Sequence, residues 1–193
     1  MDRLLKFLSI GLLFVGVSTS ICYAQQTVKL VNDPIQSSLT FTAYVRGGIP
    51  VKGVFHAFAT VAEFDRSQRV NTFKASVDTN SVDTKNKIRD RHLRSKTFFN
   101  TVAYPDIFFS VTAPFSLESN VIEGVLTVFG KQYPVRVPVD MAFLQNTETK
   151  QYVLSVKGQH KISRKQLGLN AHRLFIRDAV DVQYDLVLKL LPK

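Results

Sequence analysis

Chemistry needs polar or charged side chains brought close together, and in this sequence they concentrate in one place. The stretch KNKIRDRHLRSKTFF (residues 85–99) sets six basic residues, one histidine and one aspartate within twelve positions, then ends on Phe98 and Phe99. Spacings of three and four residues put Lys85, Arg89 and His92 or Lys96 on one face of a helix. Asp83 or Thr84 is placed to cap its start, it runs to about Leu93 or Arg94, and Ile88 and Leu93 are the side chains that can turn inward. Two readings fit these residues. One is a solvated helix face beside an aromatic plug in a filled core; the other is a charged rim at the mouth of an apolar cavity.

Elsewhere the catalytic inventory is thin. The chain has no G-x-S-x-G elbow, no Walker loop and no dinucleotide fingerprint. Its four histidines, His56, His92, His160 and His172, are far apart in sequence and follow no metal-ligand spacing. Asp78 and Asp83 flank the basic insert, where capping and turn roles suit them. No catalytic residue, metal ligand or cofactor is expected. An enzyme would need a polar group inside the fold with a perturbed pKa.

The elements that must position the insert are strands. LTFTAYV places Leu39, Phe41, Ala43 and Val45 on one face, and TFKASVD alternates Phe73, Ala75 and Val77 with Lys74, Ser76 and Asp78. VRVPVDMAF, YVLSVKGQH and VDVQYDLVLKL continue the period of two, and segments near 52–65, 106–113 and 120–129 bring the count to about eight. RGGIP, EFDRSQ, LESN, FGKQYP and QNTETK are short turn-forming links, so neighbours run antiparallel. Eight such strands close most economically into a barrel, which leaves no open edge. Two segments break the pattern: the helical insert, and a helical turn near 163–169 that Ser163 caps and Gly168 ends. Mixed charges on the polar faces and a KLLPK terminus favour a water-exposed barrel over one facing lipid. Thirteen phenylalanines outside the first 24 residues, with no tryptophan, suit an elongated cavity and a packed core equally.

The chain opens as an export signal does. Arg3 and Lys6 precede the apolar run FLSIGLLFVGV (residues 7–17), too short to span a bilayer, and small residues lead to a cleavage point after Ala24. Residues 25–193 then form a single domain. Cys22, the one cysteine of the chain, leaves with the signal, and Ile21 before it makes a poor lipidation site. Removing Asp2, Arg3 and Lys6 lowers the net charge of +10 by one. A basic exported protein meets anionic lipid surfaces and envelope polymers rather than nucleic acid.

Four ordered motifs resemble the YceI-like family. They are Thr84, Arg89-Asp90-x-His92-Leu93-x-Ser95, Phe98-Phe99 and Tyr104-Pro105 leading to Phe109; Gly124-x-Leu126-Thr127 with Gly130 and Pro134-Val135; Ser163-Arg164 with Gly168-Leu169; and Ser37-x-Leu39-x-Phe41 with Gly53-x-Phe55-x-x-Phe58. The resemblance covers roughly residues 35–191. It implies an all-β, eight-stranded antiparallel lipocalin-like barrel in the bacterial periplasm, monomeric or dimeric, holding a polyisoprenoid or related long-chain amphiphile. On that expectation Phe41, Phe58, Phe73, Phe98, Phe99, Phe109, Leu126, Val128, Leu154 and Val156 line the cavity, and Arg89, Arg91 and His92 meet the headgroup, with transient contact at a membrane surface. The alternative is a filled barrel acting as an envelope interaction protein. The sequence departs from the family pattern at Val45, where a histidine is common, and at Thr60, where a glycine is expected. Asn100 replaces an aspartate, and Phe108 and Val111 make the strand after Pro105 more apolar.

Overall fold

The computed structural model describes residues 27–65, 69–145, 151–172 and 174–190. The expected signal segment lies outside them, as does all but the first residue of the QNTETK link.

Among the described residues there are thirteen strand segments, and they assemble into eight consecutive strands, most of them broken once. β1 (Val28–Asn32) and β2 (Ser38–Val45) are two halves of the first strand. β3 (Pro50–Phe55) pairs with β2, and its continuation β4 (Phe58–Phe64) pairs with β1. β5 (Arg69–Asp78) pairs with β4, and beyond a 3-10 turn β6 (Val82–Asp83) folds back onto β3. β7 (Asp106–Val111) and β8 (Phe115–Ser116) lie along β5, and β9 (Val121–Val128) pairs with β7. β10 (Lys131–Pro138) pairs with β9, whereas its continuation β11 (Asp140–Gln145) pairs with β12 (Tyr152–Ser163). The long β13 (Ile176–Leu190) pairs with β12 on one edge and with β2 and β1 on the other. Every pairing is antiparallel, and the ring is closed.

The breaks have local causes. Asp33 accepts hydrogen bonds from the N–H groups of Ile35 and Gln36, a side-chain turn that separates β1 from β2. VRVPVDMAF, expected as one uninterrupted strand, is divided at Val139, whose N–H donates to Asn120 O at 2.8 Å instead of to the sheet. Pro138 has no N–H to give, so the strand turns from β9 toward β12 there. Such irregularities let a sheet curve tightly enough to close.

The insert forms α1 (Lys87–Arg94), two to three residues later than expected. Its cap is Asn86, whose Oδ1 accepts from Ile88 N and Arg89 N, rather than Asp83 or Thr84. Asp83 is engaged with Lys85 and His56 and Thr84 with Asp90 and Arg89, which leaves the asparagine to cap. The later start turns Ile88 outward, 79% exposed, against the expectation that it points in; Leu93 does reach the interior. At the second irregular segment Ser163 Oγ accepts from Gln166 N, and Gly168 takes a φ of +81° that favours glycine.

The two ends of the barrel differ. At the end opposite α1, Leu30, Ala62, Phe64, Val70, Leu154 and Leu188 form a closed core with their neighbours. Burying each large aliphatic side chain there contributes about 1.5–3 kcal/mol. Toward α1 the interior is hollow.

Candidate functional site

The hollow is a cavity of about 290 Å³. Of the ten side chains expected to line it, Phe41, Phe58, Phe73, Phe98, Phe99, Phe109, Leu126, Val128 and Val156 do so. Leu154 does not. Although it alternates in phase with Val156 and both belong to the core cluster, it sits one pleat further from the mouth, beyond the floor of the cavity. The walls narrow through ring contacts: Phe41 to Phe55 at 5.5 Å, Phe55 to Phe99 at 5.9 Å, Phe73 to Phe109 at 6.3 Å. Gly53 and Gly124 admit two of these rings, since a Cβ on either would meet Phe41 or Phe109.

A second hollow of about 420 Å³ lies outside the first and shares Phe41, Ala43, Leu93, Phe98 and Ile176 with it, so the cavity opens beneath α1. The three side chains expected to meet a headgroup are placed very differently here. Arg89 lines this hollow, but its guanidinium is held by Thr84: Nε donates to Oγ1 and Nη2 to the carbonyl, both at 2.7 Å. Asp90 is buried and accepts from Thr84 N at 2.9 Å and Thr84 Oγ1 at 2.5 Å. The Arg-Asp pair of the motif is thus a clamp that seats α1 on β6. Arg91 lies on the exposed side of the helix and lines neither hollow. His92 lines the outer hollow.

Sequence spacing gave no sign of the partner His92 has there. Its Nε2 lies 3.3 Å from Nε2 of His172, 80 residues away, and His172 stacks on Phe98 with centroids 5.7 Å apart and planes 16° apart. Arg164 was legible as motif but not as wall. It is buried, lines the cavity, and sits 6.0 Å from the Phe98 ring centroid. It donates to the carbonyl of Ala171 at 2.8 Å and to those of Ile176 and Arg177, tying the loop after β12 to the start of β13. Burial pulls its pKa below the ordinary arginine value, and the nearby Asp178 opposes that shift.

Three more polar residues line the cavity: Thr60, His160 and Tyr184. Burial pushes the Tyr184 phenol up to about 12, and its hydroxyl donates to Pro138 O. Burial holds the His160 imidazole below the ordinary histidine range. The folded state therefore binds the His160 proton less readily than the unfolded chain. Its share of stability is complete above the unfolded value near 6.5 and is lost as pH falls below it. Thermal unfolding of ligand-free protein should show the melting temperature dropping between pH 7.5 and 5, with a smaller drop in His160→Leu. An identical drop in the variant would remove His160 as a cause.

A closed eight-stranded antiparallel barrel with an apolar interior, open at one end beneath a short helix, is a lipocalin-like barrel. The YceI-like domain model matches residues 31–188, and the chain belongs to that family. Among curated relatives, a UPF0312 protein of Pseudomonas paraeruginosa is 30% identical over 119 residues, 61% of this chain and 62% of that one. Protein YceI of Escherichia coli O157:H7 is 35% identical over 85 residues, 43% of this chain and 44% of its own. These matches span less than two thirds of either relative. Similar folds include BcnA of Burkholderia cenocepacia, with TM-score 0.69 and 23% identity over 81% of this chain and 98% of that one. A polyisoprenoid binding domain from Saccharophagus degradans has TM-score 0.65 and 14% identity over 86% and 100%.

Proposed function

We propose that this chain is a non-enzymatic binding protein of the periplasm that holds a polyisoprenoid or similar long-chain amphiphile inside its barrel, for transport, storage or sequestration. The observation that carries this is the phenylalanine-walled cavity beneath α1, together with the opening that connects it to solvent. Burial of an apolar chain contributes about 0.8 kcal/mol per methylene before the entropy of binding is subtracted. The polyisoprenoid-binding character of the Saccharophagus degradans domain supports the ligand class. The signal-like first 24 residues support export.

An enzyme would need its perturbed polar groups poised against each other. His160 and Tyr184 both owe their shifts to desolvation, and Tyr184 is engaged with a backbone carbonyl. That is the arrangement of polar points in an apolar container, not of an acid–base pair. The filled-barrel alternative is disfavoured by the cavity itself.

The test is to purify the exported protein without detergent and record its native mass, then extract it with solvent. A stoichiometric long-chain adduct, lost on denaturation, is expected. A bare polypeptide mass, with no uptake of added polyisoprenoid, would sink the proposal.

Loading from a membrane suits the rim. Ile49, Ile88, Leu174 and Phe175 are exposed around the opening, and Phe175 O accepts from Arg46 N, which joins the β2–β3 turn to the loop bearing His172. Among the described residues Arg46, Lys87 and Arg91 face no carboxylate within ion-pair distance, whereas the acidic Asp83 and Asp178 nearby are engaged. Apolar side chains ringed by unmatched cations fit an anionic leaflet, at about 1 kcal/mol per basic residue near the surface. Cosedimentation with vesicles containing phosphatidylglycerol should fall about tenfold or more in Lys87→Glu/Arg91→Glu and weaken with salt. Equal binding to neutral vesicles would argue against this surface.

A further inference from the structure

We propose that Thr60, with His160 as a second contact further round the wall, makes this cavity selective for a chain carrying a neutral hydrogen-bonding group such as a hydroxyl, carbonyl or amide. The proposal rests on the carrier reading above and deepens it by naming what the ligand must present inside the barrel.

Thr60 is 1% exposed and lines the cavity, and its Oγ1 is the buried side-chain atom that finds no hydrogen-bond partner among the described residues. Its backbone is held independently: the N–H donates to Asn32 Oδ1 at 2.7 Å, and Thr60 pairs with Ala75 in the sheet. The hydroxyl therefore contributes nothing to the strand that valine would not, since valine has the same shape and no desolvated polar atom. A threonine here is costly in the empty protein and favourable only when something in the cavity answers it.

The chemistry of the answering group follows from its surroundings. Thr60 is followed across the sheet by Ala75, Phe109 and Leu126, all apolar and all lining the cavity. A charged group at that level would have no counterion and would lose its hydration. Arg164, the cation in the wall, is already engaged by three backbone carbonyls. A neutral group remains. His160 enters from β12, and as neutral imidazole it offers one donor and one acceptor. Among the described residues its ring has no hydrogen-bond partner, so the same kind of ligand group satisfies it.

The experiment uses phytol and phytane, a branched alcohol and a hydrocarbon of the same chain length, delivered from cyclodextrin to the delipidated exported protein and scored by native mass spectrometry. Wild type should retain phytol at least tenfold over phytane. Thr60→Val should cut that preference about fivefold or more, leave phytane retention unchanged or higher, and raise the melting temperature of the empty protein. Thr60→Ser should keep the preference. Equal retention of the two lipids by wild type, or an unchanged preference in Thr60→Val and in His160→Leu, would overturn the inference while leaving the carrier reading intact. Retention of neither would overturn the carrier reading and this inference with it.

Discussion

Ala75→Trp should abolish lipid retention while leaving the barrel folded. Ala75 lies on β5 with its methyl in the cavity wall, paired with Thr60 on one side and Phe109 on the other. An indole there projects into the space a ligand chain must cross. Displacing about four methylenes of that chain removes about 3 kcal/mol, roughly a 100-fold loss or more in affinity. Because the indole enters a hollow and not a packed region, the melting temperature of the empty protein should hold or rise. Leu188→Ala is the matching control. Leu188 is fully buried at the closed end, so its truncation should cost about 2–5 kcal/mol of stability while the folded fraction still retains lipid. Retention tracks the cavity, and stability tracks the closed core. Native mass and thermal unfolding of the two variants separate these roles, and loss of retention in Leu188→Ala alone would refute the division.

That division explains what the sequence disclosed and what it hid. Alternation in LTFTAYV, TFKASVD and VDVQYDLVLKL marks every second residue as inward, and that is where those residues are except Leu190, which is exposed at the end of β13. Period two says nothing about height along the strand. Leu154 and Val156 share a face and both belong to the core cluster, yet only Val156 also meets the cavity. Height is set by register across the ring, through pairs such as Leu154–Leu188 and His160–Val182, which are long-range and leave no local trace. The same holds for His92 and His172, which meet only because α1 and the loop before β13 close over one opening. Capping erred for a different reason. Asp83, Thr84 and Asn86 are all competent caps, and the choice fell to Asn86 because Thr84 was claimed by Arg89 and Asp90. Within the charged motif that reads as a headgroup site, Arg89 and Asp90 also fasten the helix through Thr84, which spacing alone does not disclose. Of the hydrogen-bonding groups inside the cavity, Thr60 is legible in the sequence only as a departure from the family pattern and His160 only as one of four scattered histidines, because a lone threonine or histidine in an apolar strand has no distinguishing spacing.

Gly158→Ala should be among the most damaging small substitutions at the described residues. Gly158 lies on β12 opposite Tyr184, beside the point where the sixth strand leaves β9 at Pro138 and joins β12 through β11. A Cβ at 158 would lie 2.5 Å from Pro138 O and 2.7 Å from Tyr184 Cε2, and would also strike the tyrosine hydroxyl that donates to that same carbonyl. The ring can yield by rotating, but the carbonyl is backbone, fixed by the strand that closes the barrel. Relief therefore requires the β11–β12 seam to part. Opening it exposes Val139, Leu154 and Val156, all buried in the core cluster, and leaves two edges unpaired. We expect a loss of about 3–5 kcal/mol, at the upper end for a single substitution, or failure to accumulate as folded protein. Urea unfolding followed by circular dichroism measures it. If the variant unfolds within about 1 kcal/mol of wild type, the seam is more compliant than its contacts imply. The ring would then be able to breathe between β11 and β12, giving lipid a lateral way in.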